Sequence, residues 1–162
     1  MRQHDTKATE TSHNDKKNAL KFLKENHVMV LATASNKGVP HAATVYYLVD
    51  EHFDLYFCTG EETKKFLNIK DNSNVALVVG TGPEIKTIQG GGKAEWIIEG
   101  DDAIMKRLGK NFDLQQSPFW PIVALQHKSI ALMKINVEWM TFLHVFLEDG
   151  KYVEKKCKVF PK

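Results

Sequence analysis

Two adjacent lysines, Lys64 and Lys65, stand at the start of a helix-like pattern in "YFCTGEETKKFLNIKDN", Tyr56 to Asn72. A helix start carries partial positive charge, so cations are ordinarily favoured at the other end. Paired cations there suit an anion held at the helix start, where free backbone N–H groups point outward. The stretch also has a reading without a ligand. Thr59 as N-cap and Glu62 at the third helical position would make a capping box, leaving the lysines as a solvated face. Two further stretches could receive a flat molecule. In "HAATVYY", His41 to Tyr47, the run Ala42, Ala43, Thr44 strips side-chain bulk from both faces of a strand. A planar ligand could lie against that backbone, although a crowded barrel interior would demand the same small residues. In "KTIQGGG", Thr87 and Gln89 fall on one side of a strand and offer a hydroxyl and an amide beside glycines.

Other chemistries find little support. The seven histidines show no metal-ligand spacing and neither cysteine has a partner at C-x-x-C distance, so no metal site is expected. "GGGK", Gly90 to Lys93, lacks the earlier glycine of a phosphate loop and has Ala94 where Ser or Thr would hold magnesium. Consecutive glycines in a strand mark a bulge or a close approach to the backbone. No G-x-S-x-G is present, nor an acidic pair suited to glycoside chemistry. Cys58, at the end of an aromatic strand, reads as a small packing residue rather than a nucleophile. No catalytic acid or base can be named.

The elements that must position these residues follow from periodicity. Residues 1–14 are polar and aperiodic and read as a tail; 15–162 read as a single domain, a size that buries a sizeable core. Asp15 is placed to cap a short amphipathic helix carrying Ala19, Leu20, Phe22 and Leu23. "HVMVLATAS" and "VPHAATVYYLVD" form a hairpin about a turn at Asn36 to Gly38, and "LYFCT" is a third strand. After the Lys64/Lys65 helix come "NVALVVG", a turn at "TGPE" and the strand "IKTIQGGGKAEWIIE". "DDAIMKRLGKNF" suits a helix capped by Asp101 or Asp102, and "SPFWP" is a loop. "SIALMKINVEWMTFLHVFL" reads as two strands split near Asn136 to Trp139, followed by a C-terminal strand or arm. Many strands on tight turns with few helices predict a mainly β fold with flanking helices, an antiparallel sheet closed into a barrel.

A 43% apolar, 26% charged composition is that of an ordinary globular protein. The net charge of +2 argues against broad nucleic-acid binding. No apolar run is long enough to span a membrane, and the N-terminal "MRQHDTKATETSHNDKK" has no apolar core for a signal peptide. Two cysteines are too few for a disulfide framework, so a cytoplasmic location is expected.

The order of "SNKGVPHAATVYY", an acidic turn, "LYFCTGEETKKFLNIKDNSNVALVV" and a strand ending "GKAEWI" resembles the pyridoxamine 5'-phosphate oxidase-like flavoproteins. The likeness covers about Leu20 to Ile98 well and the rest loosely. It implies a split β-barrel of FMN-binding type, with FMN as cofactor. In that family the strand block matching His41, Ala42, Ala43, Thr44, Val45 and Tyr46 packs on the flavin. The positions of Cys58 and Thr59 also touch it, and the pair matching Lys64 and Lys65 grips the phosphate. Thr87 stands closest to the position whose polar side chain reaches the ring edge, with Gln89 its neighbour. The likeness also implies a homodimer with flavin at the subunit interface, to which Trp120 and Trp139 are candidate contributors. The chain departs from the oxidases at Tyr46, where they carry a basic residue, and in lacking their Arg- and His-bearing C-terminal segment. It looks more like the oxidase-related, general-stress members. The expected function is an FMN-dependent oxidoreductase acting on an undefined small molecule. The alternatives are a flavin-binding or stress-related protein without turnover, and a deazaflavin- or haem-binding relative.

Overall fold

A computed structural model describes residues 13–80, 86–98, 104, 129–148 and 151–160. The elements in chain order are α1 (His13–Glu25), β1 (Val28–Ala34), β2 (Pro40–Tyr46), β3 (Leu48–Val49), β4 (Leu55–Gly60), α2 (Lys64–Asp71), β5 (Asn74–Val79), β6 (Lys86–Ile97), β7 (Ile130–Glu148) and β8 (Lys151–Phe160). All strands pair antiparallel in one sheet of order β2-β1-β5-β6-β7-β4-β3, with β8 added beside β7. The sheet curls until its two ends approach, β2 facing β4, with α2 tucked against β1, β2 and β6. The expected mainly β, split-barrel architecture is what forms.

Strand alternation separates two faces. Met29, Leu31, Leu55, Phe57, Val79, Ile88, Met133, Ile135 and Met140 point inward and are buried, joined by Leu23 of α1 and Phe66 and Ile69 of α2. The outer face carries Val30, Ala32, Ala42, Thr44, Ala76 and Val78, matched row by row across β2, β1 and β5.

Several boundaries differ from those the sequence suggests. The "VPHAATVYYLVD" strand breaks at Tyr47, whose ring is fully buried and whose hydroxyl donates to Leu23 O at 2.9 Å. That carbonyl lies in the last turn of α1 and lacks an intrahelical donor, so the phenol ties helix to sheet. "SIALMKINVEWMTFLHVFL" is one strand, β7; the irregularity near Asn136 to Trp139 is a bulge. Gly91 opposes Trp139 and Gly92 opposes Val137, leaving Glu138 as the extra residue. Asp15 lies inside the first turn of α1 instead of capping it, buried and accepting a 2.8 Å bond from Lys155 Nζ. The expected C-terminal strand is β8. The "TGPE" turn, the "SPFWP" loop with Trp120, and all of the "DDAIMKRLGKNF" helix except Ile104 lie outside the described residues.

The capping box that the ligand-free alternative reads at Thr59 and Glu62 does not form. Strand β4 runs on to Gly60, which pairs with Ile130, so the helix cannot begin there. Thr63 is the N-cap, in extended conformation, and its hydroxyl accepts from Phe66 N at 3.4 Å and donates to Gly60 O at 2.8 Å. Thr59, buried, contributes through a 2.9 Å contact between its hydroxyl and that of Thr63. Thr63→Ala removes the cap and should cost about 1–2 kcal/mol of stability. In a thermal melt this reads as a fall in Tm of roughly 2–8 °C, whereas an unchanged melt would show that the cap is dispensable.

Candidate functional site

With Thr63 as cap, Lys64 and Lys65 occupy the first two positions of α2. Lys64 is exposed. Lys65 is half-buried, and desolvation holds its ammonium below the ordinary lysine range, with Glu62 acting in the opposite sense. A cation kept out of water at a helix start is under-compensated. An anion placed there would be favoured by the helix end and by the lysine together.

Helical spacing puts Lys65, Asn68 and Ile69 on one face. Ile69 enters the core, while buried Asn68 donates through Nδ2 to Thr33 Oγ1 on β1 at 3.0 Å. Thr33 in turn donates to His41 O at 3.4 Å. His41 opposes Thr33 in the ladder, so both side chains leave the sheet on its inner face. His41 Nδ1 is shielded from solvent and has no hydrogen-bond partner. Buried ring nitrogens are ordinarily satisfied, so this orphan, on the strand face that Thr33 and Asn68 tie to α2, is an exception that a ligand atom would resolve.

Among the described residues β2 pairs only with β1, which leaves its other edge outside their ladder. Ala42 and Thr44 are exposed, Ala43 is half-buried and only Val45 of the block is buried. A flat heterocycle could meet such an edge with little side-chain obstruction. At the far end of the block, Tyr46 packs against the cluster of Leu48, Cys58 and Leu132, joined by Ile97 and Ile104. This contact closes the seam between β2 and β4. Cys58 is buried there and burial pushes its thiol up to about 11, which makes it a packing residue and no nucleophile.

The structure packs α2, which starts with Lys64 and Lys65, against β2, sets Tyr46 in a cluster with Cys58, and joins Thr59 to Thr63 just ahead of the helix. It does not bring Thr87 and Gln89 to them within one chain. Those two share the outer face as expected, but β6 lies three strand spacings from β2, about 14 Å. Thr87 Oγ1 donates to Val79 O at 2.9 Å, and Gln89 is exposed between Val78 and Thr141. Trp139 lies beside them, its indole covering Gly91: a Cβ on that glycine would sit 2.6 Å from Trp139 Nε1. Thr33, Asn68 and Thr63 are site-building residues that the sequence did not single out. A Thr within "VLATAS" at an inward position was the available signal for the first.

Nothing among the described residues looks like a protein-borne catalyst. No group of His, Cys, Asp or Glu there could hold a metal ion. Tyr47, like Cys58, is a buried group whose pKa burial raises, suited to packing rather than proton transfer. The residue types present suit a ligand with a flat ring and an anionic tail, with small residues along β2 and two lysines at the start of α2.

Solved structures share this fold. A Listeria innocua protein named for pyridoxamine 5'-phosphate oxidase is 25% identical, with 77% of this chain and 94% of that chain covered at a TM-score of 0.58. General stress protein 26 of Bacillus anthracis is 21% identical, covering 86% and 98% at a TM-score of 0.60. A pyridoxamine 5'-phosphate oxidase-related, FMN-binding protein of Nostoc punctiforme is 14% identical, covering 88% and 93% at 0.55. Neighbours from Vibrio cholerae and Mycobacterium smegmatis are a haem storage and a haem-binding protein. Among curated proteins no sequence matches significantly. A family model described as pyridoxamine 5'-phosphate oxidase matches residues 15–144, most of the chain. This chain therefore belongs to the pyridoxamine 5'-phosphate oxidase family.

Proposed function

We propose that the chain is an FMN-binding flavoprotein that acts, as a homodimer in the cytoplasm, as an oxidoreductase on a small molecule. The observation that carries the reading is the half-buried Lys65 at the start of α2, a helix that packs against the small-residue strand β2 on which His41 Nδ1 is shielded and unpartnered. The flavin, when bound, supplies the electron transfer, and the protein binds and orients it. Lys64, Lys65 and the free N–H groups of α2 hold the phosphate, while the β2 backbone from His41 to Tyr46 lies along the ring. A flavin binder without turnover would use the same residues. The absorption spectrum of the purified protein distinguishes flavin from deazaflavin and haem. Anaerobic reduction by NADH or NADPH and reoxidation in air are expected, and failure of both would leave a binder.

Lys65→Ala should weaken FMN about ten- to a hundredfold, the equivalent of one charge-assisted hydrogen bond of roughly 1.5–3 kcal/mol. Lys64→Ala should do less, because its side chain is exposed. Riboflavin, which lacks the phosphate, should bind weakly and barely respond to either change. An unaltered FMN affinity in the double variant would reduce both lysines to a solvated face. Pyridoxamine 5'-phosphate should be a poor substrate. Tyr46 packs against Leu48, Cys58 and Leu132 and offers no cation to a second phosphate.

The dimer reading is supported by the outer face. Ala42, Ala32, Ala76 and Gly91 form a row of small residues across four strands, flanked by Val30, Val78 and Trp139. Such a flat, mostly apolar face suits a second copy of itself. A second copy would also explain why Thr87, Gln89 and Trp139 sit away from the lysines: they would complete the partner's site. Light scattering should give about twice 18.4 kDa. Ala76→Glu should yield monomers with weakened FMN binding, and a wild-type monomer at micromolar concentration would contradict the proposal.

A further inference from the structure

We infer that the buried pair Asn68 and Thr33 is a spacing device for FMN. It fixes α2 against strand β2, so that one molecule reaches its phosphate and ring contacts together. The inference rests on the FMN reading above and names the positioning residues of that site.

Among the described residues the buried hydroxyl and amide side chains, besides Tyr47, are Thr33, Thr59 and Asn68. All of them tie α2 to the sheet. Thr59 on β4 meets the hydroxyl of Thr63, the cap of α2, at 2.9 Å. Asn68 Nδ2 donates to Thr33 Oγ1 at 3.0 Å, and that hydroxyl donates to His41 O at 3.4 Å. Thr33 and His41 are ladder partners, so this chain of bonds runs from α2 through β1 to the backbone of β2. The helix is thus held at its cap by β4 and, one turn past Lys64, by β1 and β2.

Phe66 and Ile69 enter the core and give α2 its apolar attachment. Apolar burial is non-directional, and holds a helix without fixing where along the sheet it sits. A buried asparagine bonds in a set direction, and a single one can fix register in packed helices. Register matters to a ligand anchored at both ends. Its second contact forms at high effective concentration only when the two anchors stand at the matching separation. FMN has two such ends, a phosphate for the lysine-bearing helix start and a ring for the β2 backbone. Riboflavin has the ring end alone. Loosening the Asn68–Thr33 tie would therefore cost FMN and spare riboflavin. A pair that served only stability would not separate the two ligands.

The test replaces both partners by apolar side chains of similar shape, Asn68→Leu together with Thr33→Val. Removing both leaves neither side chain unsatisfied, so the ligand-free melt should stay close to that of the wild type. Kd for FMN and for riboflavin is measured on the full chain, freed of flavin. FMN Kd should rise about five- to tenfold, the weight of one neutral hydrogen bond. Riboflavin Kd should change by less than about twofold. Thr33→Ser, which keeps the hydroxyl, should keep the wild-type ratio of the two affinities. In a Lys64/Lys65→Ala background the Leu and Val changes should cost FMN less than about twofold more, since the contact they position is already gone. Should the Leu and Val pair fold poorly, Thr33→Val alone gives the same comparison. An unchanged FMN-to-riboflavin ratio, or equal losses for both flavins, would overturn the spacing role while leaving FMN binding intact. Absence of saturable FMN binding by the wild type would overturn both readings.

Discussion

At Gly92 even one methyl group would collide with the carbonyl of Asn136 on the neighbouring strand. That contact marks the point about which the sheet turns. Opposite it, Glu138 is the extra residue of a bulge, and a bulge bends its strand and sharpens the local twist. Strand β7 pairs with β4 on one side of this point and with β8 on the other. A straight strand could not serve both partners in a closed layer. The bend lets the sheet curl until β2 and β4 meet, and only then do Tyr46 and Cys58 share a cluster. Without the glycine run, the edge strand and the start of α2 would lie on separate parts of an open sheet.

The same curl places polar groups where water does not reach. Thr33, Asn68 and Thr59 are buried among apolar neighbours, and each has a hydrogen-bond partner. An unsatisfied buried polar group costs about 1–3 kcal/mol. His41 Nδ1 and the half-buried Lys65 do not follow the pattern of satisfaction around them. Stability alone would favour an apolar side chain at both positions. Costs of this kind concentrate at functional sites.

Most of the fold was legible because most of it is periodic. The β1–β2 hairpin and its turn at Asn36 to Gly38 follow from alternation and a glycine, which adopts φ of 77°. Periodicity failed where tertiary context overrides it. Tyr47, Leu48 and Val49 are all buried, so the pattern gave no hint that the strand breaks to send Tyr47 toward α1. Thr59 and Thr63 both have N-cap spacing, and the pairing of Gly60 with a strand seventy residues away in sequence decides between them. Within the site, the residue types of the block and of the lysine pair could be read from the sequence. The orphaned nitrogen of His41 could not, since it depends on what Asn68 and Thr33 do with each other.

Fold alone does not choose the ligand, since neighbours of this architecture include both FMN- and haem-binding proteins. The choice falls to side chains, and their asymmetry along β2 is informative. His41 lies on the strand face that Thr33 and Asn68 tie to α2, a helix that starts with two lysines, whereas the Tyr46 end packs into an apolar cluster with Leu48, Cys58 and Leu132. A molecule lying along this strand is therefore offered charge at one end and apolar surface at the other. An elongated ligand with a single anionic terminus matches that polarity and has one orientation available to it. A second phosphate on a small substrate would have to displace the packed Tyr46 edge without gaining a cation.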